Sequence, residues 1–285
     1  MDVKDYITGE RLQELVDHTI IVKGQSLVED QLKHTNCRYT YFDRNAPIDK
    51  LPDEILSANS LFVYTHELEF FFNKIYPYLT RQITLMTHNS DLCITPNYIR
   101  YLNEPKIKNW FAQNVYCKHE KLIPIPIGLA NSQWQHGNLQ LFDKIRKENN
   151  KKSMLVYKNF DPNTSHCNRM HVLSDTQHIP MAQRKPFDEY WRDISRSIFC
   201  ICPMGSGVDT HRMWEALYLN TIPIVADCDN NDGFKELPMI RIPNGQFGNW
   251  NIITENMLKD NIEKLKDKYN PEKLTMDYWR KRLNE

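Results

Sequence analysis

Residues 197–227 constrain the fold of this chain more than any other stretch. They read Ser197-Ile-Phe-Cys-Ile-Cys-Pro-Met-Gly-Ser-Gly-Val-Asp-Thr-His-Arg-Met-Trp-Glu-Ala-Leu-Tyr-Leu-Asn-Thr-Ile-Pro-Ile-Val-Ala-Asp227. The apolar run 198–202 predicts a buried strand, followed by a flexible loop at Gly205-Ser206-Gly207. Asp209 or Thr210 can cap a helix running through Asn220, and Ile222 to Val225 predict the next strand. Such a unit builds a parallel sheet. Its loop and helix N-terminus present backbone N–H groups to an anion.

The helix carries a second message. At ~100° per residue, His211, Arg212 and Glu215 share one arc and Met213, Trp214 and Leu217 the opposite arc. The apolar arc packs on the sheet and leaves the polar groups facing a cleft. Two cationic side chains in a first turn oppose the helix dipole, and a bound phosphate reverses that penalty. Glu215, one turn deeper, is placed to accept hydrogen bonds from a ribose diol. Taken singly, the same residues read as an ordinary solvated helix face.

The pattern S-x-F-C-x-x-P-x-G, then R-x-x-E-A-L and I-P-I-V with an acidic residue just after, resembles the donor-binding half of exostosin-type glycosyltransferases. The likeness covers roughly residues 153–245. Trp110-Phe-Ala-Gln-Asn114 and Lys121-Leu-Ile-Pro-Ile-Pro-Ile-Gly128 are similar to blocks in stand-alone viral and bacterial members, a chlorovirus xylosyltransferase among them. The resemblance implies an α/β fold of the GT-B type, two Rossmann-like domains facing a cleft with a C-terminal helix crossing back. It further implies inverting transfer of a sugar from a nucleoside-diphosphate sugar to a glycan hydroxyl. A UDP-sugar is expected, with UDP-xylose the first donor to try. Gly205, Ser206, Gly207, Asp209, Thr210, His211 and Arg212 then hold the diphosphate, and Glu215 the ribose. Arg169 becomes a second diphosphate ligand by resemblance, although by composition alone it is a surface arginine. Lys158 and Arg184 are weaker candidates of the same type. The glycine loop is neither G-x-G-x-x-G nor a Walker lysine loop, which disfavours a phosphotransferase or sulfotransferase.

The order of elements suggests two domains and a tail. Strands are predicted at 20–22, 61–64, 83–86 and 123–127, alternating with helical segments near 9–17, 67–79 and 105–115. A helix at 138–147 and the polar break Glu148-Asn-Asn-Lys-Lys152 end an acceptor domain, 1–150. The nucleotide-sugar domain, 151–270, opens with a strand at 153–157 and adds helices near 167–174, 187–196 and 255–268. Residues 271–285 predict a helix with proline at its start, packing on the first domain.

Inverting transfer needs a base for the acceptor hydroxyl. Thr87-His-Asn-Ser-Asp91 follows a strand, at the edge where α/β sites gather. Asp91 is the first candidate base and His88 the second; an Asx-turn with His88 merely hydrogen-bonded is the alternative. His66, Asn89 and Trp134 are candidate acceptor or sugar contacts. Trp134 can equally pack in the core, and the neighbouring Glu67 can cap a helix. Gly128 lets backbone approach a ligand.

Composition excludes several other classes. The 36 basic and 36 acidic residues cancel, so neither nucleic acid nor a polybasic membrane contact is expected. No apolar run reaches the ~18 residues of a membrane span and the start has no signal-peptide shape, so a soluble, cytoplasmic protein is expected. Seven cysteines without C-x-x-C spacing suit a reducing compartment, with Cys200 and Cys202 as core residues. Asp227-Cys-Asp229 matches the D-x-D with which other transferases hold Mn²⁺ or Mg²⁺. With Arg212, His211 and the helix dipole available to neutralise the phosphates a metal is redundant, so no metal and no other cofactor is expected. The alternative reading is a non-catalytic nucleotide- or glycan-binding protein that keeps the donor site.

Overall fold

Two parallel sheets, each flanked by helices, organise the chain in a computed structural model that describes residues 1–266 and 270–285. The first sheet comprises β1 (His18–Val22), β2 (Tyr39–Phe42), β3 (Ser60–Tyr64), β4 (Ile83–His88), β5 (Ile107–Ala112) and β6 (Leu122–Pro124). Its spatial order is β2-β1-β3-β4-β5-β6. The second comprises β7 (Met154–Tyr157), β8 (Ser197–Ile201), β9 (Ile222–Ala226) and β10 (Ile240–Ile242), in the order β10-β9-β8-β7. The central strands β1, β3 and β4 are buried along their whole length, as expected of parallel strands covered on both faces. The architecture is Rossmann-like α/β.

In the first sheet the chain steps outward from β1 to β2 and returns to β3 on the other side of β1. The strand order therefore reverses between β1 and β3, and loops leaving those strands part to open a crevice. The second sheet adds its strands one after another and contains no such reversal.

The segment expected to be helical at 105–115 is strand β5. Ile107, Trp110, Phe111 and Ala112 are all buried between covering layers, and Trp110 Nε1 donates to Thr87 Oγ1 at 2.9 Å. A short apolar run has the same composition in a buried strand as in a buried helix, and pairing with β4 and β6 decides between them. The strand expected at 123–127 runs only to Pro124; Ile125 N still donates to Ala112 O at 2.9 Å, Pro126 has no N–H, and Ile127 N turns to Asp209 Oδ2. β2 and β10 were not anticipated. The first is an edge strand with exposed tyrosines and the second only three residues long. The helix expected over 255–268 is observed as Glu255–Lys266; its last residues fall outside the described ones.

One buried cluster joins both halves. It contains Tyr6 and Phe111 from the first, Phe142 and Trp191 from two facing helices, and Trp214 and Trp279 further along. The Leu139–Lys147 helix, capped by Asn138, packs on the Phe187–Ser195 helix, with Phe142 and Trp191 edge to face at 5.2 Å. Tyr218 Oη accepts from Ile7 N at 3.1 Å and donates to Leu274 O at 2.9 Å, so one hydroxyl ties the N-terminal segment, the 211–218 helix and the C-terminal segment. The last helix, Met276–Leu283, capped by Thr275, lies against Gly9–Gln13 and Val3–Asp5.

Trp279 is almost wholly buried and donates Nε1–H to Lys273 O. Trp279→Ala is expected to lower unfolding free energy by about 3–5 kcal/mol in urea titrations. A loss below ~1 kcal/mol would show that the last helix is not part of the cooperative core.

Candidate functional site

The C-terminal edges of both sheets open onto two adjoining clefts. The larger, ≈ 860 Å³, is bounded by loops after β7 and β8 and by the start of the 211–218 helix. The smaller, ≈ 620 Å³, is bounded by loops after β1, β3, β4 and β5. Asp91, Ile127 and His211 line both, so the clefts meet at these residues.

The larger cleft is lined by four cationic side chains, Arg169, Arg184, Lys185 and Arg212, and by four carboxylates, Asp91, Asp161, Asp209 and Glu215. Arg212 Nε is buried without a hydrogen-bond partner. Arg169 stands beside it, its Nε and Nη1 donating to the carbonyls of Met204 and Asp161 at 2.9 Å each. Burial, and then the charge of Arg212, pull the Arg169 pKa down to about 10. Its partners are carbonyls rather than carboxylates, so its charge is solvated but not neutralised. Thr210 occupies the N-cap, yet its side chain accepts no bond from the helix, which leaves the first N–H groups uncapped. Arg212 lies over the Tyr190 ring at 5.9 Å and in the field of Glu215, yet its Nε–H, at the open helix N-terminus, has no acceptor.

Glu215 lies one turn further along and is 4% exposed. Its Oε2 accepts from Tyr190 Oη at 2.9 Å and its Oε1 from Trp191 Nε1 at 3.0 Å. These two donors, both on the 187–195 helix, lock the carboxylate against the cleft that it lines. A carboxylate has about four acceptor positions, so capacity remains for a ligand hydroxyl. Nothing in the sequence marked Tyr190 and Trp191. Their adjacency on an amphipathic helix was the available signal.

Several residues expected to bind the diphosphate do other work. His211 is not a cation. Its Nδ1 lies 2.8 Å from Gly128 O, and because a carbonyl only accepts, Nδ1 carries the proton and Nε2 is left as an acceptor. Burial also lowers its pKa, so the ring is neutral in the free cleft. The carboxylate of Asp209 is fully engaged within the fold, accepting from Ile127 N at 2.7 Å and from Trp214 Nε1 at 2.8 Å. Burial outweighs these bonds and raises its pKa to about 7. A carboxylate at this point repels a phosphate rather than holding it. Gly205 N donates to Gly207 O at 3.0 Å, closing the loop on itself. Gly207 is a glycine because a Cβ there would lie 2.5 Å from Asn114 Nδ2. Ser206 remains exposed at the lip. Lys158 is buried away from the cleft, its Nζ donating to Thr176 O at 2.6 Å, whereas Arg184 stands exposed on the rim.

In the smaller cleft His88 cannot serve as a base. Nε2 must donate to Pro126 O at 3.0 Å, and Nδ1 accepts from Asn89 N at 2.7 Å, so both nitrogens are occupied. Burial lowers its pKa to about 4. Asp91 by contrast is exposed where the clefts meet. Asn89, in the left-handed conformation at φ 59°, holds the loop by accepting from Asn131 Nδ2 at 3.1 Å. His66 Nε2 pairs with Gln25 Oε1, and Trp134 is exposed on the lining rather than in the core. Glu67 is buried against Arg44 and belongs to the fold. Gly128, at φ +69°, is required because a Cβ would lie 2.3 Å from Ile7 O, so the backbone that approaches it is the protein's own.

Asp227 and Asp229 line neither cleft. Asp227 pairs with Arg241, and Asp229 lies 3.6 Å from Lys118. No helix among the described residues is long and apolar enough to cross a membrane. No family model and no curated protein matches the chain.

The environment of His88 makes a pH prediction. Its ring takes a proton near pH 6.5 when unfolded and only near 4 in the fold, so the unfolded state binds more protons between those values. Stability from this group is complete above pH 6.5 and lost as pH falls through 4, on the order of 3 kcal/mol. Asp209, with its raised pKa, acts in the opposite sense and is common to wild type and variant. Urea unfolding between pH 7 and 4 is expected to show a shallower loss for His88→Asn than for the wild type. Parallel curves would contradict the buried neutral ring.

Proposed function

We propose that the protein is a glycosyltransferase that binds a nucleoside-diphosphate sugar in the larger cleft and an acceptor in the smaller one. The observation that carries this reading is the buried, unpartnered Nε of Arg212 beside Arg169 at an uncapped helix N-terminus. A diphosphate supplies the acceptor that this Nε–H lacks. Glu215, oriented by Tyr190 and Trp191, is suited to the ribose diol. The resemblance of 197–227 to exostosin-type enzymes supports the same assignment. Two parallel sheets turning their C-terminal edges toward adjoining clefts suit a GT-B arrangement. A UDP-sugar is the proposed donor, with UDP-xylose the first to try.

Chemically, Asp91 accepts the proton of an acceptor hydroxyl whose oxygen attacks the anomeric carbon. The bond from that carbon to the diphosphate breaks, and the diphosphate leaves with the electron pair. Arg212, Arg169 and the helix N-terminus stabilise the charge that develops, the step where fixed donors matter most. Asp91 suits the base role because it stands where the two clefts meet. That position favours an enzyme over a simple binding protein. The guanidinium charges suffice for the diphosphate, so transfer is proposed to proceed without a metal.

UDP is expected to raise the melting temperature, and Arg212→Ala to weaken UDP by ten- to hundredfold, since a charge-assisted contact contributes roughly 1.5–3 kcal/mol. Unchanged affinity in a folded variant would overturn the donor assignment. Asp91→Asn is expected to keep UDP affinity and to slow transfer by roughly 10²–10⁴-fold in a single-turnover assay with EDTA present. A variant with wild-type rate would place the base elsewhere.

A further inference from the structure

The smaller cleft has its own chemistry, distinct from that of the larger. It sits where the strand order of the first sheet reverses, between the loops after β1 and β3, which is where open parallel sheets place ligands. Six carboxamides line it, from Gln25, Gln31, Asn89, Gln113, Asn131 and Gln133. No lysine or arginine is among its lining residues, and Asp91 is the one carboxylate. Arg44, which lies outside the lining, is paired with Glu67.

Carboxamides offer a donor and an acceptor on one planar group, the complement of a hydroxyl that does both. They carry no charge to neutralise an anion. Several are already oriented: Gln31 Nε2 donates to Gln13 Oε1 at 2.9 Å, and Gln113 Oε1 accepts from Asn89 N at 3.0 Å. Gln133 Oε1 is different, being buried without a partner, an acceptor awaiting a donor. Beside it Trp134 is 44% exposed, a flat aromatic face in a lining that also includes the exposed Leu27 and Leu92. An aromatic face next to fixed amides matches a sugar ring, which presents C–H groups on one face and hydroxyls around its edge.

We infer that the smaller cleft recognises an uncharged saccharide, held by its hydroxyls on the carboxamides and packed against Trp134, and that acidic sugars are excluded. A uronate would lose its hydration without meeting a cation and would lie near Asp91. The bound sugar's role as acceptor rests on the proposed transfer reaction; its binding does not.

Saturation-transfer NMR on the full chain, with cellobiose, xylobiose, lactose and mannobiose as neutral probes and cellobiouronic acid as the acidic one, tests this directly. At least one neutral disaccharide is expected to bind, and cellobiouronic acid to give no signal. Trp134→Ala is expected to weaken the neutral ligand ~tenfold, and Gln133→Leu to weaken it as well, while both variants keep the thermal shift produced by UDP. Stronger binding of cellobiouronic acid than of cellobiose would overturn the inference. So would wild-type sugar affinity in Trp134→Ala, or the absence of any neutral ligand from a chain that binds UDP. A chain that binds neutral disaccharide but not UDP would uphold the inference and refute the donor assignment.

Discussion

The carboxylate of Asp209 is the joint on which the site depends. It accepts from Ile127 N in the first half and from Trp214 Nε1 on the 211–218 helix, while its own N–H donates to Asn114 Oδ1. Three segments distant in sequence therefore meet at one buried residue. These bonds tie the start of the helix that carries Arg212 and Glu215 to the segment just after β6. Burial works against the charge of this carboxylate, which is why its pKa rises despite its donors. Gly207 belongs to the same joint, since any side chain there would strike Asn114.

Around that joint the charges are divided. Arg169, bonded to carbonyls, and Arg212, whose Nε has no partner, stand on one side, and carboxamides with a single carboxylate on the other. His211 lies between them and is kept neutral by burial and by Gly128 O, so it adds no charge to either cleft. The arginine side chains thus line the larger cleft alone, where the proposed diphosphate would meet them. Rigid supports hold the polar groups in place, as Tyr190 and Trp191 do for Glu215. Preorganisation of this kind avoids reorganisation cost when charge develops.

Local pattern made the helix 211–218 and the strands on either side of it legible, because periodicity and a glycine loop are short-range signals. The exposure of Arg212 and Glu215 to one cleft followed from the same 3.6-residue repeat. What stayed hidden was non-local. The partner of His211 lies 83 residues away and that of Asp209 82 residues away, and no spacing rule reports such contacts. Both were read as ligands because residue type was visible and environment was not. His88 was misjudged as a base for the same reason. β5 was misread because Trp110-Phe111-Ala112 is equally apolar in a strand and in a helix. Tyr190, Trp191 and the carboxamides carry no motif, and only the fold gathers them.

The central claim is that Arg212, whose Nε has no partner, forms with Arg169 the proposed anion site for a nucleotide diphosphate. The most direct test is a crystal structure of the chain with UDP. The account predicts diphosphate oxygens within hydrogen-bond distance of Arg212 and of the 210–212 backbone, and ribose hydroxyls on Glu215. UDP bound among the carboxamides of the smaller cleft, or on the Asp227 and Asp229 side of β9, would contradict it.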